Sequence, residues 1–380
     1  MAGYMRAFLV SLLIAAGGVL LLATAACGGG GGGGQPSGGS PTAEPKKEKG
    51  ATITVNSTKD ADARDGELTL REALLLASGE LDKGALEGDE RGRVNGKPGA
   101  ERADLVVFDQ SVFSGEDAPP IAVESALPPL RGGDDTIDGK GLVTIAGPNK
   151  TLTCLTLASN GNEVRGLRIQ GCQTAVAVGK DKVGNRIGEP GKGNVLSGNQ
   201  VGIEVRGQRT VIVANILGLD AKGESALPNE FEGIWVTSDA RDTVIGGTEA
   251  GEGNVISGND LHGVNVDGTE GTVIQGNIIG LDAAGKTEMR NNFGIIVQLG
   301  ARGTLIGGDA DGARNVISGN RTGILVQHLG TEGTTIKGNF IGTDVSGEQG
   351  VRNGVDVLIT ADKTTNVVGE NHTLGPLLGP

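Results

Sequence analysis

The sequence predicts an all-β solenoid: a parallel β-helix of about eight rungs with a short helix closing its N-terminal end. Three observations predict it. A Gly-apolar-x-Val phrase recurs six times, at steps of 31, 30, 31, 29 and 31 residues. Glycine makes up 69 of 380 residues and aromatic residues 2%, so the chain turns often around a core that cannot be built from rings. Asn opens one strand of every rung, where stacked amides can hold a turn. The glycines do not fall every third residue, which excludes collagen. The formal charge of −13 makes nucleic acid an improbable partner, because phosphate needs a basic face.

From the N-terminus, residues 1–26 read as a signal peptide, with Arg6 alone charged ahead of an apolar run to Ala26. Thr24-Ala-Ala-Cys27 resembles a bacterial lipobox, and the resemblance implies lipidation at Cys27. The family prefers Leu where Thr24 stands. Cleavage at Ala23-Thr24-Ala25, giving a secreted protein, and an uncleaved anchor are the competing readings. Residues 27–50 form a tether that opens with seven glycines, Gly28–Gly34. The expected location is the cell surface or periplasm, with the membrane reached through the N-terminal lipid only.

Residues 51–140 form a cap module. Ala51-Thr-Ile-Thr-Val55 alternates as a strand. Thr69-Leu-Arg-Glu72 is a capping box ahead of Ala73-Leu-Leu-Leu-Ala77, so a helix starts near Leu70 and stops near Ser78-Gly79. These residues resemble the CSLREA module of exported bacterial β-helix proteins, matching it over Leu70-Arg-Glu-Ala73. Leu68 stands where that family has its cysteine. Asp60, Asp62 and Asp65 have a spacing that suits calcium, although no Glu sits where an EF-hand needs one. The insertion 80–103 reads as a solvated, mobile loop because of its charges.

Residues 141–380 carry the repeats. The strand phrase begins at Gly202, Gly233, Gly263, Gly294, Gly323 and Gly354, and Cys154–Leu157 and Ala175–Val178 are degenerate earlier rungs. A second strand follows at Thr210, Thr243, Thr272, Thr304 and Thr335. A third alternates between Asn-Val-Ile-Ser-Gly-Asn (Asn254–Asn259) and Asn-Ile-Ile-Gly (Asn277–Gly280), giving a 61-residue unit of two rungs. Alternation puts Ile203 and Val205 inside and Glu204 outside. This unit resembles the right-handed parallel β-helix repeats of exported bacterial proteins, and the resemblance implies a right-handed coil. Such rods host many functions, so fold does not give activity.

The outer face of the Gly-apolar-x-Val strands carries the candidate chemistry. One outward column reads Ala177, Glu204, Trp235, Asn265, Ile296, Leu325, Asp356, and the next reads Arg206, Thr237, Asp267, Gln298, Gln327, Leu358. The expected ligand strip is Trp235, Ile296 and Leu325, with Gln298 and Gln327 as donors, for a polysaccharide or cell-surface partner. A loop over 222–232 covering Trp235 is the bland alternative. Glu204 and Asp267 fall two rungs apart, roughly 10 Å, at the far limit for an acid–base pair, and read as solvated charge. Asp220, Asp282 and Asp344 recur in Asp-x-x-Gly, where Asx-turns account for them better than calcium. His262 and His328 read as lying in or beside turns, without a nucleophile to serve. Cys154 and Cys172 are offset within their rungs, which argues against a disulfide. No catalytic residue, cofactor or metal site is assigned. The expected role is a recognition, adhesion or envelope-structural rod; a polysaccharide lyase or glycoside hydrolase on the same face is the alternative.

Overall fold

The computed structural model describes residues 47–115 and 118–376. The signal segment, Cys27 and all but the end of the tether lie outside the described residues. The chain folds as a right-handed parallel β-helix. Its eight-stranded sheet runs through Thr153–Leu157, Thr174–Val178, Val201–Val205, Glu232–Val236, His262–Asp267, Phe293–Gln298, Thr322–Val326 and Val355–Ile359, in sequence order. Eight rungs were expected, and these strands supply them. From Arg186 onward the remaining walls are strands of two or three residues that pair in parallel from rung to rung, such as Val244–Gly246 with Val273–Gln275 and Val255–Ile256 with Ile278–Ile279. Two-residue strands suffice because each pairs with a copy of itself on either side and buries one β-branched or Leu side chain inside. Ile203, Ile234, Val264, Ile295 and Ile324 are all fully buried.

The strand phrase carries its glycine for a steric reason. Both the glycine and the next residue face inward, so the register skips one position at each strand. A Cβ on Gly233, Gly263 or Gly294 would stand 2.6–2.8 Å from the carbonyl of the next rung's glycine and about as close to a buried Asn amide. That amide belongs to a ladder. Asn199, Asn229, Asn259, Asn291, Asn320 and Asn353 are buried. Each passes an Nδ2–H to the Oδ1 of the next, at 2.9–3.2 Å. A second ladder joins Asn194, Asn215, Asn254, Asn277, Asn315, Asn339 and Asn371 in the same way.

This geometry corrects the expectation for the cysteines: Cys154 and Cys172 form a disulfide, with Cα atoms 5.8 Å apart. Cys154 occupies the inward glycine position. Cys172 occupies the ladder position of the following rung, its N–H donating to Asn199 Oδ1. The inward glycine position always points at the next rung's ladder residue, so the offset is what brings the two sulfurs together.

The 61-residue unit also has a physical cause. Every second rung extends a hairpin closed by Leu219–Ala226, Leu281–Glu288 or Thr343–Gly350. Successive hairpins stack through Ala283 N–H to Gly223 O (2.9 Å) and Val345 N–H to Gly285 O (3.0 Å). Asp220 and Asp282 accept backbone amides four and five residues on, and Asp344 accepts the Ser346 hydroxyl and the Gln349 amide. These are the turn-closing roles expected of them.

At the N-terminal end, the first strand is Glu48–Val55, three residues longer than expected, so 48–50 belong to the fold. The helix is Leu70–Ala77 with its Thr69–Glu72 capping box formed. Arg71 makes a two-pronged ion pair with Asp60 (2.8 and 2.9 Å) and reaches the carbonyls of Ser125 and Ala126. Asp62 pairs with Arg64, and Asp65 with Lys59. The three aspartates proposed for calcium thus each hold a cation of the chain itself. The charged insertion carries secondary structure, where a loop was expected. It contains the short helix Gly88–Gly92. The buried Glu90 carboxylate accepts the amides of Asp65, Gly66 and Glu87, so burial costs little.

Candidate functional site

The outer face of the eight-stranded sheet gathers the polar side chains. Glu204, Trp235, Asn265, Ile296 and Leu325 stand in register across consecutive strands. The next residue up the column is Leu358, not Asp356, because Val355–Ile359 pairs two residues out of step with the sequence phrase. Trp235 is partly exposed, not sealed under the 222–232 loop. Its Nε1–H donates to Asp267 Oδ2 at 2.8 Å. A row of amides converges on the same carboxylate. Gln327 donates to Gln298 (2.7 Å), Gln298 to Asn265 (3.2 Å) and Asn265 to Asp267 (3.3 Å).

Ile296 and Leu325 are correctly placed on this face but buried, at 3% and 6% exposure. Ile296 stands between Asn265 and Leu325, and Leu325 between Ile296 and Leu358, and cross-strand neighbours this near cover a mid-sheet aliphatic group. Both pack the face instead of offering it, and the open surface contracts to Trp235 with the partly exposed Gln298 and Gln327.

The carboxylates depart further from the reading as solvated charge. Glu204 is largely buried, and burial pushes its carboxyl above the usual range; Arg206, whose Nε lies 3.2 Å away, pulls it back. Asp267 is also pushed up by burial, against the hydrogen bond from Trp235. Its Oδ1 is buried without a hydrogen-bond partner. His262 opens its strand, directly beside the bend at Asp260 and Leu261. It is buried, its Nδ1 lies 3.3 Å from Glu232 Oε1, and its ring leans on Phe293 with centroids 5.5 Å apart. Glu232, and with it the Glu232–His262 pair, was missed because both residues lie at the start of their strands, one outward position before the columns read from the sequence. The repeat phrase begins at the following glycine and hides that position.

A groove of about 400 Å3 lies elsewhere, along the strands at Leu167, Arg168, Val195 and Ile216. Its walls are glycine backbone and aliphatic side chains, and Arg168 is its one charged lining residue. It offers no acid–base pair. Among the described residues, no group of three or more His, Cys, Asp and Glu could hold a metal ion.

No family model and no curated protein matches the sequence. Among solved structures, the chain is similar to an alginate lyase from a Paenibacillus species, at 13% identity over 73% of this chain and 90% of that one, with a TM-score of 0.43. It is similar to the A-module of a mannuronan C-5 epimerase from Azotobacter vinelandii, at 14% identity over 87% and 89%, TM-score 0.37. A pectate lyase follows at 12% identity over 87% and 79%, TM-score 0.35. These are likenesses of fold.

Proposed function

We propose that the protein is an exported surface rod, lipid-anchored through Cys27, that recognises a polysaccharide at Trp235 without catalysing its cleavage. The observation that carries this reading is the partly exposed Trp235 indole, fixed by Asp267 at the end of an amide row. A ring held in place loses little entropy on binding, and amides beside it suit hydroxyl groups. Export and anchoring rest on the segment 1–27 alone.

Charge narrows the ligand. Glu204, Glu232 and Asp267 surround the indole, against Arg206. A polyuronate would bring its own carboxylates to this rim, whereas a neutral or amine-bearing glycan would not be repelled. One ring gives modest affinity, with Kd nearer the millimolar than the nanomolar end. In an array of neutral, amine-bearing and uronate glycans, binding should appear in the first two classes. Trp235→Ala should abolish it and lower Tm by only a few degrees. Failure of the wild-type protein to bind any class would sink the reading. For anchoring, Cys27→Ala should move the protein from membranes to the soluble fraction; unchanged retention would point to an uncleaved anchor.

A second reading, glycoside hydrolysis, is favoured by one observation. Glu204 and Asp267 are both held above the usual carboxyl range by burial, as a general acid requires. Their two-rung separation, roughly 10 Å along the axis, stands at the far limit of an inverting pair. Uronate lyase chemistry has less support, since the Arg206 guanidinium is already paired with Glu204. Release of reducing ends from a bound glycan, lost in Glu204→Gln, would establish the hydrolase; its absence would leave recognition alone.

A further inference from the structure

The disulfide stands where later rungs have a glycine and a ladder amide. Cys154 takes the inward position of the first strand of the eight-stranded sheet, and Cys172 lies three residues before Ala175, the inward position of the second. Further along, the same two positions hold pairs such as Gly202 with Asn229 and Gly233 with Asn259. There the rungs are tied by hydrogen bonds from amide to amide. The amides stop at Cys172, whose N–H still donates to Asn199 Oδ1 at 3.0 Å. The bond to Cys154 takes over the tie to the rung before. That rung needs one. Its strand, Thr153–Leu157, has a full partner, Thr174–Val178, on one side and a single bridge, to Leu130, on the other. The Gly147 backbone packs against both sulfurs, because a Cβ there would stand 2.9 Å from Cys154 Sγ and 3.0 Å from Cys172 Sγ. Two unbonded sulfurs must stand apart like any non-bonded atoms, and in a close-packed interior that displaces Gly147 or the first strand.

We infer that the Cys154–Cys172 bond is a redox latch: the first rungs of the rod close firmly only where the two thiols are oxidised, and the closed rungs then shield the bond from reductants. The oxidant is a disulfide-bearing molecule. One cysteine thiolate attacks it, forming a mixed disulfide and releasing one thiol. The second cysteine thiolate displaces the other thiol, so two electrons pass to the oxidant and the two cysteine protons end on the thiols released. The cysteines are 1% and 0% exposed, so this exchange precedes closure, and reversal requires the rungs to open. Cytosolic thiols keep such a pair reduced, whereas oxidising spaces beyond the membrane do not. The N-terminal end of the rod is thus soft before export and firm after it. The latch rests on this packing alone, not on the glycan reading or on residues 1–27.

The test uses the Cys27→Ala protein, in which these two are the only cysteines, refolded from denaturant with oxidised glutathione or with dithiothreitol. The oxidised product should melt about 5 °C or more above the reduced one, and protease should cut the reduced product first within 147–175. Cys154→Gly combined with Cys172→Asn restores the pair of the later rungs. It should melt alike under both conditions and within about 2 °C of the oxidised protein. Cys154→Ala combined with Cys172→Ala should melt with the reduced one. Dithiothreitol added to the folded oxidised protein should release no thiol until denaturant opens the rungs. Equal melting of the oxidised and reduced products would overturn the latch, as would thiol release from the folded protein. A glycine–asparagine variant that melts no higher than the alanine pair, or does not fold, would overturn the equivalence of bond and amide.

Discussion

The body of the rod and its N-terminal end solve the same hydrogen-bonding problem with different chemistry. Along the body, buried Asn amides accept each rung's backbone N–H and donate onward, so every ladder residue is neutral. At the N-terminal end a third ladder begins with carboxylates. Ala51 N–H donates to Asp104, Asp104 N–H to Asp135, Asp135 N–H to Asn162 and Asn162 N–H to Asn185. Asp104 and Asp135 each face two backbone donors, because the loops at Gly99 and Gly133 add a second N–H to each. An Asn there would turn its NH2 toward one of those donors. The amide is the better ladder unit where both sides repeat; the carboxylate is better where an irregular loop closes over one side. The difference carries an electrostatic cost, since two buried acids lie one rung apart.

The largest expected effect tests the body. Ile274 is fully buried inside, and its neighbour Val273 faces outward, half-buried. Ile274→Asp places an unpaired carboxylate in the aliphatic stack and should cost about 5 kcal/mol or more. Val273→Asp should cost about 1 kcal/mol. Urea unfolding of the two variants measures the difference. Equal midpoints would mean that the register of these short strands is displaced by one residue.

How much of this was legible follows from what repeats. The strand phrase, Asn ladder and capping box recur or match known local rules, and 70–77 formed the helix they predicted. Residues that act once were hidden. Glu90 read as solvated charge because nothing in sequence shows three amides closing on it. Asp104 and Asp135 extend an amide ladder with a different residue, which a search for Asn passes over. The Asp356 slip was invisible because Gly354-Val-Asp-Val357 imitates the phrase perfectly while the strand pairs two residues later. At the candidate site, sequence placed Trp235, Glu204 and Asp267 on one face. It could not tell that Ile296 and Leu325 would be covered, because burial on an outer face depends on the sizes of neighbours in other strands.

The smaller effect tests the N-terminal end, through pH. Burial holds the Asp135 carboxyl at about 7, raised from 3.8, with the Asp104 carboxylate pushing the same way and the Asp104 and Gly133 amides and Lys47 opposing. Burial also raises Asp104, against the amides of Gly99 and Ala51 and the charge of Arg102. A carboxyl whose folded value lies above its unfolded one binds its proton more tightly in the folded state. The stability it contributes is therefore complete below about pH 4 and is lost as pH rises through about 7. For Asp135 the two ends of that window differ by on the order of 4 kcal/mol. The carboxylates held low by hydrogen bonds, such as Asp344 and Asp362, act in the opposite sense and below about pH 4, outside the window. Asp135→Asn removes the Asp135 slope and puts an NH2 against the Gly133 donor, at about 1–3 kcal/mol. The variant should be less stable than the wild type at pH 4.5 and should match or exceed it at pH 8. Denaturant midpoints of both proteins across that range check the crossing. Parallel profiles would show that Asp135 titrates normally and that the N-terminal ladder is no more strained by charge than the body.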